Sequence, residues 1–163
     1  MTTSWPDLTA TTASRDLSGT AGFRMMPDED LAPGPATGRV ATRAGGNALL
    51  VTYTWTHPTD GPQEGVLLAG SPDEDQAAVR ATWMDSWHQK PAPMHLEGRL
   101  EGGTVTLGAR YADTWGWQID LVLAEGELRI VMRNVVPEEA VAQAPDDMEV
   151  VAGPYEVMDL RLT

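Results

Sequence analysis

Few residues in this chain could do covalent or metal chemistry, and their spacing narrows the choice further. There is no cysteine, and there are three histidines, His57, His88 and His95. A thiolate nucleophile, a disulfide framework and a zinc–thiolate site are therefore excluded. Three histidines are enough for a catalytic zinc, but no His-x-His or His-Glu-x-x-His spacing occurs. His88 and His95 fall on either side of the Pro-rich run QKPAP, with His95 on the outer face of its strand. His57 sits at a strand end against Pro58. No metal site and no cofactor are expected from this arrangement. Asp85-Ser86-x-His88 has the look of a catalytic triad. On an extended strand, Ser86 and His88 share a face with their Cα atoms about 6.5–7 Å apart, and Asp85 points the opposite way. There is no Gly-x-Ser-x-Gly elbow. The carboxylate runs Asp73-Glu74-Asp75, Glu138-Glu139 and Asp146-Asp147 lie in turns. None has the spacing of a calcium loop, and no glycine-rich segment joins a strand to a helix as a phosphate cradle would.

The aromatic residues are more informative. The chain has 6 Trp and 3 Tyr but a single Phe. Trp combines a large apolar body with an N–H donor, which suits the wall of a pocket or the filling of a core. The candidate binding residues are Tyr53, Trp55, Trp83, Trp87, Tyr111, Trp115 and Trp117, with Tyr53, His57 and Asp85 as polar handles. The alternative is that the same rings only fill the interior.

These residues are carried by about ten short segments of alternating apolar and polar residues, each closed by Gly, Pro, Asp or Asn. The spacing predicts strands near 18–26, 38–44, 47–57, 63–70, 78–87, 94–100, 104–112, 115–124, 127–136 and 148–162. A polar arm over 1–16 precedes them, PDEDLAPGPATG reads as a loop, and 137–147 reads as a short helix. Gly45-Gly46, Gly102-Gly103 and Glu125-Gly126 read as turns, and Gly153-Pro154 as a bulge. Short links favour antiparallel pairing of sequence neighbours. The expected fold is all-β: a single antiparallel barrel of about ten strands over 17–163, large enough to hold a small molecule.

Period-two alternation assigns the faces. Leu128, Ile130 and Met132 share one face opposite Arg129 and Arg133. Trp115, Trp117, Ile119, Leu121 and Leu123 oppose Gln118 and Asp120. Val105, Leu107, Ala109 and Tyr111 form a third apolar row, and Leu49, Val51, Tyr53, Trp55 and His57 a fourth. On 78–87 the larger apolar face, Val79, Ala81, Trp83, Asp85 and Trp87, is assigned inward. Asp85 is then a buried carboxylate in need of donors or a charge partner, and Arg161 is the candidate.

The formal charge of −13, from 24 acidic and 11 basic residues, argues against nucleic acid or an anionic membrane as a partner. No apolar run approaches membrane-helix length. The start of the chain lacks the basic and apolar regions of a signal peptide, so a cytoplasmic location is expected.

Ala81-Thr82-Trp83-Met84-Asp85-Ser86 resembles the core motif of the bacterial lipocalin-like domain of unknown function fifteen-seventy-nine. Leu17-Ser18-Gly19, the turn Gly45-Gly46-Asn47-Ala48-Leu49-Leu50, and Glu97-Gly98 followed by a glycine turn are similar too. Where such domains carry Gly-x-Trp on the first strand, this chain has Gly19-Thr20-Ala21-Gly22-Phe23, with Phe23 in place of that aromatic plug. The resemblance implies a calycin-type barrel with a central cavity, and no reaction, cofactor or catalytic residue.

The expected role is binding of a small, largely apolar molecule. Three other readings stay open. One is an enzyme of the cyclase or isomerase type using Asp85, His57 or Tyr53. Another is a haem-binding barrel of the nitrobindin kind, with His57 or His88 as ligand. The third is a packed interaction module that could form a homodimer.

Overall fold

The structure, a computed structural model, describes Trp5 and residues 16–73, 77–124, 126–145 and 150–163. Its strands are β1 (Asp16–Phe23), β2 (Ala32–Arg43), β3 (Ala48–His57), β4 (Gly61–Gly70), β5 (Ala78–Asp85), β6 (Gln89–Glu101), β7 (Thr104–Tyr111), β8 (Trp115–Ala124), β9 (Glu127–Val136) and β10 (Gly153–Leu162). A 3₁₀ turn at Ala44–Gly46 joins β2 to β3, and α1 (Glu138–Ala142) precedes β10. The ten strands close into one antiparallel barrel in the order β1-β10-β9-β8-β7-β6-β5-β4-β3-β2. The all-β barrel expected from the alternation is the observed fold.

Closure depends on β1, which pairs with β2 on one side and with β10 on the other, Gly19 opposite Leu162. A Cβ on Gly19 would stand 2.0 Å from the Arg161 carbonyl oxygen, so only glycine allows the seam to approach this closely. Helix α1 starts after Pro137 with Glu138 and Glu139 in its first turn, where carboxylates offset the exposed N–H groups and the helix dipole. It is shorter than the expected 137–147.

Several boundaries differ from the alternation reading, each for a physical reason. The segment read as a loop over PDEDLAPGPATG enters β2 at Ala32. Pro33 and Pro35 are tolerated because the β2–β3 ladder starts only at Thr37↔Thr54. The Pro35 carbonyl faces Thr56 of β3, so its missing N–H faces the same unladdered side. Similarly, β6 begins at Gln89 and runs through Pro91 and Pro93, while its ladder to β7 starts only at Glu97↔Gly108. Strand β5 ends at Asp85, two residues before the expected end. The expected bulge at Gly153-Pro154 lies instead between Glu156 and Met158, where four consecutive residues, 157–160, are buried. Of the expected last strand, 148–149 lie outside the described residues, as do 74–76, residue 125 and the arm apart from Trp5 and Asp16.

The barrel has two chemically distinct halves. Leu17, Leu49, Val79, Leu100, Leu123, Leu128 and Leu162 fill the end where β1 begins. Each such fully buried side chain contributes about 1.5–3 kcal/mol from leaving water. Trp5 is fully buried in the same core cluster. At the other end, where the odd-numbered strands finish, the interior turns aromatic. Outside, Arg129 pairs with Asp159 at 2.7 Å and Arg133 with Asp120. Asp159 also takes Arg161 at 2.6 Å. Arg161 therefore points outward and is not the partner of Asp85.

Candidate functional site

Strand β3 runs inward-facing Tyr53, Trp55 and His57 toward the aromatic end, and β5 brings Trp83 and Asp85 beside them. After Asp85 the chain turns sharply. The Asp85 Oδ1 accepts the Trp87 N–H at 2.9 Å and the His88 N–H at 3.0 Å, a side-chain turn typical of Asp. That turn folds His88 back into the barrel, where its side chain is 4% exposed. Strand alternation sets His88 opposite Asp85. The two are in contact, His88 Nδ1 lying 3.1 Å from Asp85 Oδ1. No triad results, because Ser86 lies outside, where its hydroxyl donates to Gln63 Oε1 at 2.7 Å.

The other carboxylate oxygen, Oδ2, accepts the Tyr53 hydroxyl at 2.9 Å and the Trp55 indole N–H at 3.1 Å. The Tyr53 oxygen in turn accepts the Trp83 indole N–H at 2.9 Å. Tyr53 reaches this position by lying across Gly65, where a Cβ would stand 2.1 Å from its ring. Five donors therefore converge on one buried carboxylate. Burial alone would raise the Asp85 pKa. The His88 ring, through its Nδ1–H and through its charge whenever it is protonated, reverses this together with the Trp87 and His88 backbone N–H groups. The net effect holds Asp85 below the usual carboxylate range. Burial and then the Asp85 charge push the Tyr53 phenol well up, so Tyr53 stays a donor.

Asp85 is thus held ionised and saturated with donors. Its effect is on stability and on His88. Because its pKa in the fold lies below the unfolded value near 3.8, the unfolded chain binds this proton more readily. The stabilisation is complete above that value and is lost as pH falls through the folded one. Asp159 follows the same sign: burial raises it, and Arg129 and Arg161 more than offset this. Urea unfolding repeated at descending pH is expected to show stability falling from about pH 4 downward, with a shallower fall in Asp85→Asn.

The ring nitrogens of the two inner histidines differ in character. Asp85 fixes the His88 proton on Nδ1, so the neutral ring presents a lone pair at Nε2. His57 Nδ1 lies 3.2 and 3.0 Å from the Thr59 and Asp60 backbone N–H groups and 3.3 Å from Asp60 Oδ2. Three buried ring nitrogens at this end have no partner among the described residues: His57 Nε2, His88 Nε2 and Trp117 Nε1. Buried polar atoms without partners are rare in native folds.

The rings around them form one cluster. His88 stands 4.9 Å from Trp87, 5.1 Å from Trp55, 5.5 Å from Trp117, 5.8 Å from Phe23 and 6.4 Å from Trp83, centroid to centroid. Trp83 and Trp117 stack at 5.4 Å, and His57 stacks on Trp87 at 4.8 Å. Trp87 is half-buried at the rim, its indole N–H held by Asp60 Oδ2 at 2.8 Å.

Of the candidate binding residues, Tyr53, Trp55, His57, Trp83, Asp85, Trp87 and Trp117 meet here. Tyr111 and Trp115 do not. Tyr111 is half-buried and donates to Asn134 Oδ1 at 2.6 Å, while Asn134 reaches Tyr155, which donates to the Met25 carbonyl. These bonds tie β7, β9, β10 and the 24–31 loop together. Trp115 lies across from Tyr111 at the start of β8. His88 is the residue of this cluster that alternation misplaces. The signal was present in Asp85, a turn former three residues ahead of it.

A separate groove of about 970 Å³ runs over the outer wall, lined by Thr37, Thr54, Glu64, Val66, Met84 and Ser86 among others. Val66 and the neighbouring Leu68 are exposed. A haem does not fit at His88, since five aromatic rings already surround the imidazole. Among the described residues no three His, Cys, Asp or Glu side chains are grouped to hold a metal ion, and no helix is long and apolar enough to cross a membrane. No family model and no curated protein matches the chain.

Proposed function

We propose that this barrel binds a small, largely apolar molecule at its aromatic end, between Phe23, Trp55, Trp87, His88 and Trp117. One observation carries the reading: three unpartnered ring nitrogens inside a single aromatic cluster. Native cores satisfy nearly all their buried polar atoms, and the opposite half of this barrel is lined largely by leucine and valine. Here apolar walls surround a few convergent polar groups, the usual composition of a ligand site. Trp87 is the side chain that must move for entry, since it covers His57 and stands at the rim. The resemblance to the bacterial lipocalin-like domains supports membership of that family and a barrel with a central cavity.

The test is a titration of tryptophan emission with a panel of small aromatic molecules. A saturable change is expected for at least one of them, and it is expected to vanish in Trp117→Ala. If Trp117→Ala fails to fold by circular dichroism, Trp117→Phe replaces it. A change that is linear in concentration and identical in the variant would remove the site from this end of the barrel.

A further inference from the structure

Two neighbours on the outer face of β4 stand apart from the rest of the wall. Val66 and Leu68 point outward and are 38% and 48% exposed. No other Val, Leu, Ile, Met, Phe or Trp side chain in a described strand is exposed. Beside Leu68, Arg80 and Glu97 pair with each other at 3.3 Å, so the surface around it carries no net charge. The whole chain carries −13. A second copy is therefore repelled by most of the surface and least by this patch.

The patch also has the shape of its own counterpart. Gly70 follows Leu68 by two residues on the same face, and there the wall sinks into a hollow of about 450 Å³ bordered by Ala48, Arg80 and His95. The ladders place Leu50, Leu68 and Thr82 in one row and Ala48, Gly70 and Arg80 in the next. A two-fold axis crossing β4 at Ala69 lays each row on the other. Leu68 then enters the gap over Gly70 of the partner subunit, and Leu50 meets Ala48 of the partner subunit. Large meets small on both strands, and the exchange is mutual, as an isologous interface requires. On β6, where Arg80 pairs with Glu97 and Thr82 with His95, the same axis sets Glu97 against His95 of the partner subunit. The natural angle between stacked sheets, about 30°, splays the corners and leaves this centre in contact. We propose that a second copy of this chain docks here, forming a two-fold dimer with its β4 strands stacked. The contact needs no ligand at the aromatic end.

Four strands by four outward rows cover about 500 Å² per copy, at ~4.8 Å between strands and ~6.7 Å between same-face residues. That is the size of a weak, reversible interface, for which a dissociation constant of roughly 10–100 μM is expected. Sedimentation velocity of the whole chain from about 1 μM to about 1 mM spans such a constant. A monomer–dimer transition is expected, and it should tighten with added salt, which screens the like charge of the two copies. Leu68→Asp and Gly70→Arg should each weaken it more than about tenfold. Neither disturbs the barrel, since Leu68 is exposed and a Cβ at Gly70 meets only the Arg80 carbonyl oxygen, at 3.8 Å. Mixing the two variants tests the axis itself. Opposite charges then face each other at one contact while Leu68 still meets Gly70 at the other, so the mixture should associate more tightly than either variant alone. Should a variant not fold, the concentration and salt series on the unaltered chain decide by themselves. A monomer throughout would overturn the proposal and leave the face to a different occupant. A dimer indifferent to both substitutions, a mixture no tighter than its components, or a dimer that loosens with salt would overturn it equally.

Discussion

Replacing Asp85 with Ala is expected to cost about 3–5 kcal/mol of unfolding free energy, the range found when one member of a buried charged network is removed. The size follows from what is stranded. Asp85 is 2% exposed, and its loss leaves the Tyr53 hydroxyl, the Trp55 indole N–H, the His88 Nδ1–H and two backbone N–H groups without their acceptor. Water cannot easily replace it in a ring-lined interior. The turn over 86–88 also loses its organising side chain, so Trp87 and His88 lose their orientation. Asp85→Asn keeps the shape and one acceptor oxygen, yet sets an NH₂ group against donors. Its loss should be smaller than that of Ala. Urea titration of the three proteins at neutral pH gives the values directly.

The second large effect is expected at Trp83. Trp83→Ala should cost about 3–5 kcal/mol, as truncation of a large buried aromatic does elsewhere. Trp83 is 1% exposed, stacks on Trp117 and donates to the Tyr53 oxygen. Trp83→Phe separates the two contributions. It keeps most of the stacking and removes the hydrogen bond, which alone is worth about 0.5–1.5 kcal/mol. A Phe variant nearly as damaged as Ala would mean that the indole N–H, and hence the Tyr53–Asp85 network, dominates.

These two residues also show what the sequence makes legible. Trp83 and Asp85 were assigned inward because the strand alternates, and alternation is enforced wherever one face meets water and the other a core. The same rule located the apolar rows of β3, β7, β8 and β9. It failed where the backbone stops being a strand. His88 was placed outside because the strand was continued through 87, whereas the Asp85 side chain captures the next two N–H groups and reverses the chain. Pro33 and Pro35 were read as breakers, since proline cannot serve in a ladder. They sit where β2 has a partner on one side only. Arg161 has the right charge for Asp85 but not the right position. Its neighbour Asp159, two residues away on the same face, holds it outside. Local pattern thus found the strands and most of the inward side chains, while the convergence of five donors on one carboxylate is a property of closure.

Crystals soaked to saturation with phenol, a small planar aromatic, test the proposed binding site most directly. The predicted result is electron density for the ring among Phe23, Trp55, Trp87 and Trp117, with Trp87 displaced or swung to admit it. Phenol bound only in the outer groove beside Thr37, Thr54, Val66 and Met84, with the aromatic end unchanged, would contradict it.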